Sequence, residues 1–114
     1  MISIYTEEIN DVIILHAKGM LTMEHLREAE EAWEEELQKR PRVMAFDFSG
    51  ITEIDSISIN HIFMLVKAAA RLDVKLIVCN SNEMLDTIFD VVRLNKLITV
   101  MPNQKFYDEY IKRY

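Results

Sequence analysis

The spacing of its apolar runs constrains this chain more than any other feature. Residues 12–17 read VIILHA, 42–48 read RVMAFDF and 74–79 read VKLIVC. Each run is short, β-branched and apolar on both faces, the pattern of strands covered on both sides. Helix-length stretches separate them. Strands joined by helices imply right-handed crossovers and parallel pairing. Ahead of them, ISIYTEE alternates like an edge strand, and Asn10 and Asp11 sit where a hairpin turn belongs. That hairpin adds an antiparallel edge. Gly19 then marks a turn after the second strand. The order is β-β-α-β-α-β-α-β-α, an α/β fold with a mixed sheet of about five strands and helices packed on it. With 114 residues, a single domain spanning 1–114 is expected, and no repeat or low-complexity segment interrupts it.

The helices follow from their punctuation. Thr22 caps a first helix over 23–40, whose Leu26, Ala29, Trp33 and Leu37 make one buried stripe before Pro41 stops it. SGITEID reads as a loop around Gly50. A second helix runs from Ser56 to Leu72. Asn80 with Glu83 resembles a capping box for a third helix, over 82–92. KLITV is a short fifth strand, and Pro102 opens a final helix with Phe106, Tyr110 and Tyr114 on one face.

Composition removes several functions. The net charge of −6 argues against nucleic-acid binding, which needs an excess of Lys and Arg. No apolar run is long enough to span a bilayer, so direct membrane insertion is not expected. The first residues lack a basic and apolar leader. The lone Cys79 has no disulfide partner and reads as a buried small hydrophobe. Together these features point to the cytoplasm. His16, His25 and His61 have no metal-ligand spacing, and no Gly-rich phosphate loop occurs. No metal or cofactor is expected. Asp55, Ser56 and His61 supply the residue types of a hydrolytic triad. However, Ser56 and His61 are five apart on one helix, a poor geometry, and the G-x-S-x-G elbow is absent.

Two surfaces remain. The first helix carries seven Glu between 24 and 36, either a solvated face or a docking surface for a basic partner. On the second helix, Ile59, Ile62, Phe63, Val66, Ala69 and Ala70 should face the sheet. Ile57, Met64 and Ala68 line the opposite side, beside Asn60, His61, Lys67 and Arg71. That stripe is either covered by another helix or a binding patch. Asp55 and Ser56 stand at the mouth of this helix, where unpaired N–H groups and the dipole favour negative charge. The pair reads as a plain cap or as a site that tolerates a phosphate.

The segment FDFSGITEIDSISI, through Asp47, Ser49, Ile51, Ile54, Asp55 and Ser56, resembles the motif of STAS domains, the bacterial anti-sigma factor antagonists. The likeness extends to LHAKGML and to SNEMLDTIFDVVRLNKLITV, and so covers nearly the whole chain. The resemblance implies a STAS-like sheet and a partner switch. In that family the unphosphorylated protein binds an anti-sigma factor that is also a serine kinase, releasing the sigma factor. The kinase phosphorylates the Ser after the motif Asp, here Ser56, and a serine phosphatase resets it. By that likeness the chain is substrate and ligand, not enzyme. The partner surface would comprise Thr22, Asp55, Ser56, Ile57, Ser58, His61 and Met64. A homodimer is compatible with the family. Two positions depart from the motif: Ser58-Ile59 replaces Gly-Leu, and Gly19-Met20-Leu21-Thr22 lacks the Asp of Gly-Glu-Leu-Asp. Ser58 also offers a second hydroxyl. The alternative is an unphosphorylated STAS scaffold or accessory subunit of a signalling or membrane-transport complex.

Overall fold

The computed structural model describes residues 1–112. Five strands form one sheet in sequence order: β1 (Ile2–Ile9), β2 (Val12–Leu21), β3 (Val43–Ile54), β4 (Lys75–Asn80) and β5 (Thr99–Val100). The first pair is antiparallel and the rest are parallel. Asn10 and Asp11 both take positive φ, 47° and 55°, as a two-residue hairpin turn of the primed type requires.

Three helices follow β2, β3 and β4 in turn: α1 (Leu26–Gln38), α2 (Ser56–Arg71) and α3 (Glu83–Val91). Each strand is laid beside the previous one in the same direction, so right-handed crossovers put all three helices on one face. There Leu26, Ala29, Trp33 and Leu37 of α1, Ile62 and Leu65 of α2, and Leu85 and Phe89 of α3 share a core with Leu15, Phe46 and Val78 of the sheet. The short α4 (Asn103–Phe106) and the wide turn over Tyr107–Ile111 cover part of the other face. Phe106 is fully buried there on Val12, Ile14, Val43, Ala45, Ile77 and Cys79. Phe106 and Tyr110 stack, whereas Tyr114 lies outside the described residues. Cys79 is buried, and burial pushes its thiol up to about 12. Among the described residues no helix is long and apolar enough to cross a membrane.

Four sequence expectations are corrected. SGITEID is not a loop, because β3 continues to Ile54 through two register shifts against β2. Extra β3 residues at such bulges break strict alternation, which is why a polar stretch containing Gly50 looked irregular. Gly19 is not a turn but lies inside β2 at φ 112°, where an added Cβ would collide with the Met1 carbonyl oxygen. The first helix starts at Leu26, three residues late: Thr22 makes no cap, and its carbonyl instead accepts the His25 amide at 2.9 Å. Asn82, not Asn80, caps α3, accepting from the Leu85 amide at 2.9 Å. Its side-chain amide also donates to the Ile51 carbonyl at 2.9 Å, tying α3 to the extended part of β3.

On the sheet face opposite α1–α3, one polar clasp crosses three strands. His16 on β2 faces Asp47 of β3 (Nδ1 to Oδ2, 2.7 Å) and Glu7 of β1 (Nε2 to Oε1, 3.0 Å). Ionised carboxylates only accept, so the protonated imidazole, with a donor on each ring nitrogen, completes both bonds. Burial alone would lower the His16 pKa, but the hydrogen bonds it donates to Glu7 and Asp47 outweigh it and raise the value. Burial of Asp47 is likewise outweighed by its bonds from His16 and Ser49, which hold its carboxyl below the usual range.

Two tests follow. The Gly19→Ala variant should lose about 1–3 kcal/mol in urea denaturation, the cost of forcing a side chain into a disfavoured backbone conformation. Gly50→Ala should lose less, because its new Cβ meets the flexible Lys18 stem at 3.1 Å. The clasp sets a pH window. The His16 contribution is complete below its ordinary value of 6.5 and fades as pH rises through the raised folded value. The Asp47 contribution is complete above 3.8 and fades as pH falls through the lowered one. In thermal melts, the advantage of wild type over His16→Gln should therefore shrink as pH climbs from 6 to 8.5. An unchanged difference would mean that the clasp does not titrate.

Candidate functional site

The site is built where β2 and β3 end together. Their register places Leu21 beside Ile54, so Thr22-Met23 and Asp55 leave the sheet as neighbours. Asp55 is the N-cap of α2, with extended backbone (φ −114°, ψ 172°). Its Oδ1 accepts the Ser58 amide at 2.8 Å, and its Oδ2 accepts the Met23 amide at 2.7 Å. One carboxylate thus fixes both the start of the helix and the segment after β2. Desolvation opposes its charge, but the Ser58 and Met23 amides prevail and hold the carboxyl below the usual range.

The first turn of α2 separates its two serines. Ser56 is exposed, whereas Ser58 is fully buried. Ser58 therefore does not reach the surface where the sequence placed it. Its Oγ has no hydrogen-bond partner, although it lies close enough to favour the Asp55 charge. Thr22 is also buried, so its side chain supports the junction rather than presenting at it. Ile57 and Met64 are exposed at 43% and 55%, and Met23, held beside the cap by Asp55, at 61%. Met23 and Ile57 form an adaptable apolar rim at the helix start, and Met64 lies two turns further along α2. Ala68 is half-buried against the core and Ala70 is exposed, while Leu65, absent from the expected inner face, is buried.

His61 does not meet Ser56 as a base would. Its Nδ1 lies 2.8 Å from Glu30 Oε2 on α1, and because the carboxylate accepts, Nδ1 carries the hydrogen. The pair links α2 to the acidic helix. Below the rim is an open cleft of ≈ 220 Å³ lined by Met20, Thr22, Met23, Glu24, Glu53 and Asp55. Glu24 and Glu53 thus supply acidity although position 22 is Thr. Sequence reasoning missed Met23, Glu24 and Glu53, because each joins the site only once β3 is extended to Ile54. Among the described residues no cluster of His, Cys, Asp or Glu is placed to hold a metal. The site offers an exposed hydroxyl, a helix end that tolerates an anion and an apolar rim. It offers no nucleophile paired with a base.

The family model described as the STAS domain matches residues 3–108. No curated protein matches the chain by sequence. Among solved structures, an anti-sigma factor antagonist from Mycobacterium paratuberculosis is 13% identical, with a TM-score of 0.78 over 98% of this chain and 95% of its own. The unphosphorylated form of the anti-sigma factor antagonist SpoIIAA is 10% identical, with a TM-score of 0.76 over 93% of this chain and 94% of its own. The phosphorylated form of Bacillus SpoIIAA is 14% identical, with a TM-score of 0.68 over 93% and 97%. At these identities the likeness is one of fold.

Asp55→Ala should cost about 0.5–2 kcal/mol in urea denaturation, the usual loss for a helix cap. Asp55→Asn, which can still accept a hydrogen bond, should cost less. Asn keeps an acceptor for only one of the two amides, so equal losses would show that the second bond, to Met23, or the charge is needed beyond the cap itself.

Proposed function

We propose that this chain, which belongs to the STAS domain family, is an anti-sigma factor antagonist controlled by phosphorylation of Ser56. Its unphosphorylated form docks an anti-sigma factor that is also a serine kinase, through Asp55, Ser56, Ile57, His61, Met64 and Met23. Docking frees the sigma factor and so changes transcription. The kinase then transfers a phosphoryl group to Ser56, the complex separates, and a serine phosphatase restores the hydroxyl. The chemistry belongs to these cytoplasmic partners; this chain is their ligand and substrate.

One observation supports this reading above the others: α2 opens with a single accessible hydroxyl beside exposed apolar side chains. Ser56 is exposed and Ser58 is fully buried, so a kinase reaching this turn meets one acceptor. The cap is made by Asp55, leaving Ser56 free to change state without unmaking the helix. Phosphorylation adds about −1.5 to −2 charge. Docking would then have to desolvate that charge among Met23, Ile57 and Met64. Driving binding from nearly complete to nearly absent takes about 10⁴-fold in affinity, or roughly 5.5 kcal/mol. Desolvation of an unpaired charge is of sufficient size.

The test uses the cognate kinase and ATP. Intact mass should show one added phosphate on wild type and on Ser58→Ala, and none on Ser56→Ala. Uptake by Ser56→Ala equal to wild type would reject the assignment. In a pull-down, Ser56→Asp should recover at least tenfold less partner than wild type. Equal recovery would favour the permanent scaffold, a STAS subunit of a signalling or transport complex.

A further inference from the structure

We propose that β1 pairs antiparallel with β1 of a second copy, joining two sheets into one across a two-fold axis. This inference does not depend on the function proposed for Ser56. It starts from the edge of the sheet: β1 is outermost and eight residues long, whereas the opposite edge strand β5 has only two. Proteins blunt exposed edges with Pro, charged side chains (Lys above all) or short length. The segment ISIYTEEI contains neither Pro nor Lys, and its only charges, Glu7 and Glu8, sit together at one end.

The ladder shows which backbone groups are free. The Met20 amide donates to the Met1 carbonyl at 3.1 Å, so Met1 and Met20 form a hydrogen-bonded pair. Such pairs alternate along an antiparallel ladder. With the register Ile2 to Gly19 through Ile9 to Val12, residues Ser3, Tyr5, Glu7 and Ile9 bond to β2. Ile2, Ile4, Thr6 and Glu8 therefore turn their N–H and C=O outward. Among the described residues no turn, loop or side chain bonds to those outward groups.

Self-pairing selects one register. With Tyr5 opposite the partner's Tyr5, Ile2 meets the partner's Glu8 and Ile4 meets the partner's Thr6. Every outward residue is then used. Slipping the axis to Thr6 leaves Ile2 without a strand partner, and slipping it to Ile4 leaves Glu8 without one. The same register keeps carboxylates apart, since Glu7 faces the partner's Ser3 and Glu8 faces the partner's Ile2. Tyr5, 63% exposed, falls on the axis at a non-hydrogen-bonded pair, where facing side chains lie closest. It already stacks on His16 at 4.5 Å and 15°, so the two copies extend one aromatic stack across the seam. The Ser3 hydroxyl comes opposite the partner's Glu7, the carboxylate that holds His16. A sheet edge, a charge-compatible register and an exposed aromatic on the axis all point to the same occupant.

Sedimentation velocity from low micromolar to submillimolar concentration tests the proposal. Wild type and Ser56→Asp should move from one chain mass toward two. Thr6→Pro removes an outward N–H that the monomer does not use, so it should stay monomeric with an unchanged melting temperature. If that variant melts early, Tyr5→Lys decides, because it sets like charges face to face at an exposed position. Mild oxidation should link Tyr5→Cys into a dimer and leave Thr6→Cys unlinked, with the native Cys79 buried. A single-chain mass for wild type at every concentration would overturn the proposal. So would a dimer retained by both Thr6→Pro and Tyr5→Lys, or linkage through Thr6→Cys alone.

Discussion

The parallel pairing of β2 with β3 is the constraint on which the rest of this structure rests. Both strands extend past the end of β4, and β3 keeps its place beside β2 by inserting residues at two bulges. Without that accommodation the residues after Asp47 would leave the sheet, and Asp55 would lie far from Met23. With it, the two chain segments end side by side. A single carboxylate can then hold both of them through backbone amides at 2.7 and 2.8 Å. Backbone groups at a helix start have no partners of their own, so this arrangement satisfies donors that would otherwise rely on water. The acidic cleft beside the junction and the exposed Met23 are consequences of the same register.

Burial turns a run of similar residues into distinct roles. In Ser56-Ile57-Ser58-Ile59, helical spacing sends Ser58 inward and Ser56 outward. An added side chain at Ser58 is accommodated within the core at the expense of an unpaired hydroxyl, a cost of about 1–3 kcal/mol when such a group is buried. That cost marks position 58 as one where a smaller residue would pack as well or better. The polar clasp on the opposite face works differently. His16, Glu7 and Asp47 are paired so completely that each charge stabilises the next. That pairing lets charged side chains sit half-buried on a sheet whose other end is apolar.

Much of this was legible in the sequence, for physical reasons that can be located. The strands over 12–17, 42–48 and 74–79 were readable because β-branched runs have few alternatives once helices flank them. Ile2–Ile9 was readable from alternation, and Leu26, Ala29, Trp33 and Leu37 from helical period. The second half of β3 was not, because bulges disrupt the period on which such reading depends. Gly19 carried the correct signal, a need for positive φ, yet that need arises inside a strand. Asp55 and Ser56 together read as a cap from sequence alone, but the structure gives the cap to Asp55, and its hold on Met23 depends on a pairing 32 residues apart. Glu24 and Glu53 could not be joined to the site without it.

The division of labour between Asp55 and Ser56 has a further consequence for any switch at this position. A helix that relied on Ser56 for its cap would lose that bond on modification, and the change would be read as partial unfolding. Here the cap belongs to Asp55, and the helix dipole favours negative charge at its start. Added charge at Ser56 therefore leaves the junction formed and acts outward, on whatever approaches the exposed Met23, Ile57 and Met64. Such a switch would act through the hydration of one side chain rather than through loss of the cap. Were Ser56 modified, the difference in free energy would be felt where a partner had to remove water from the added charge.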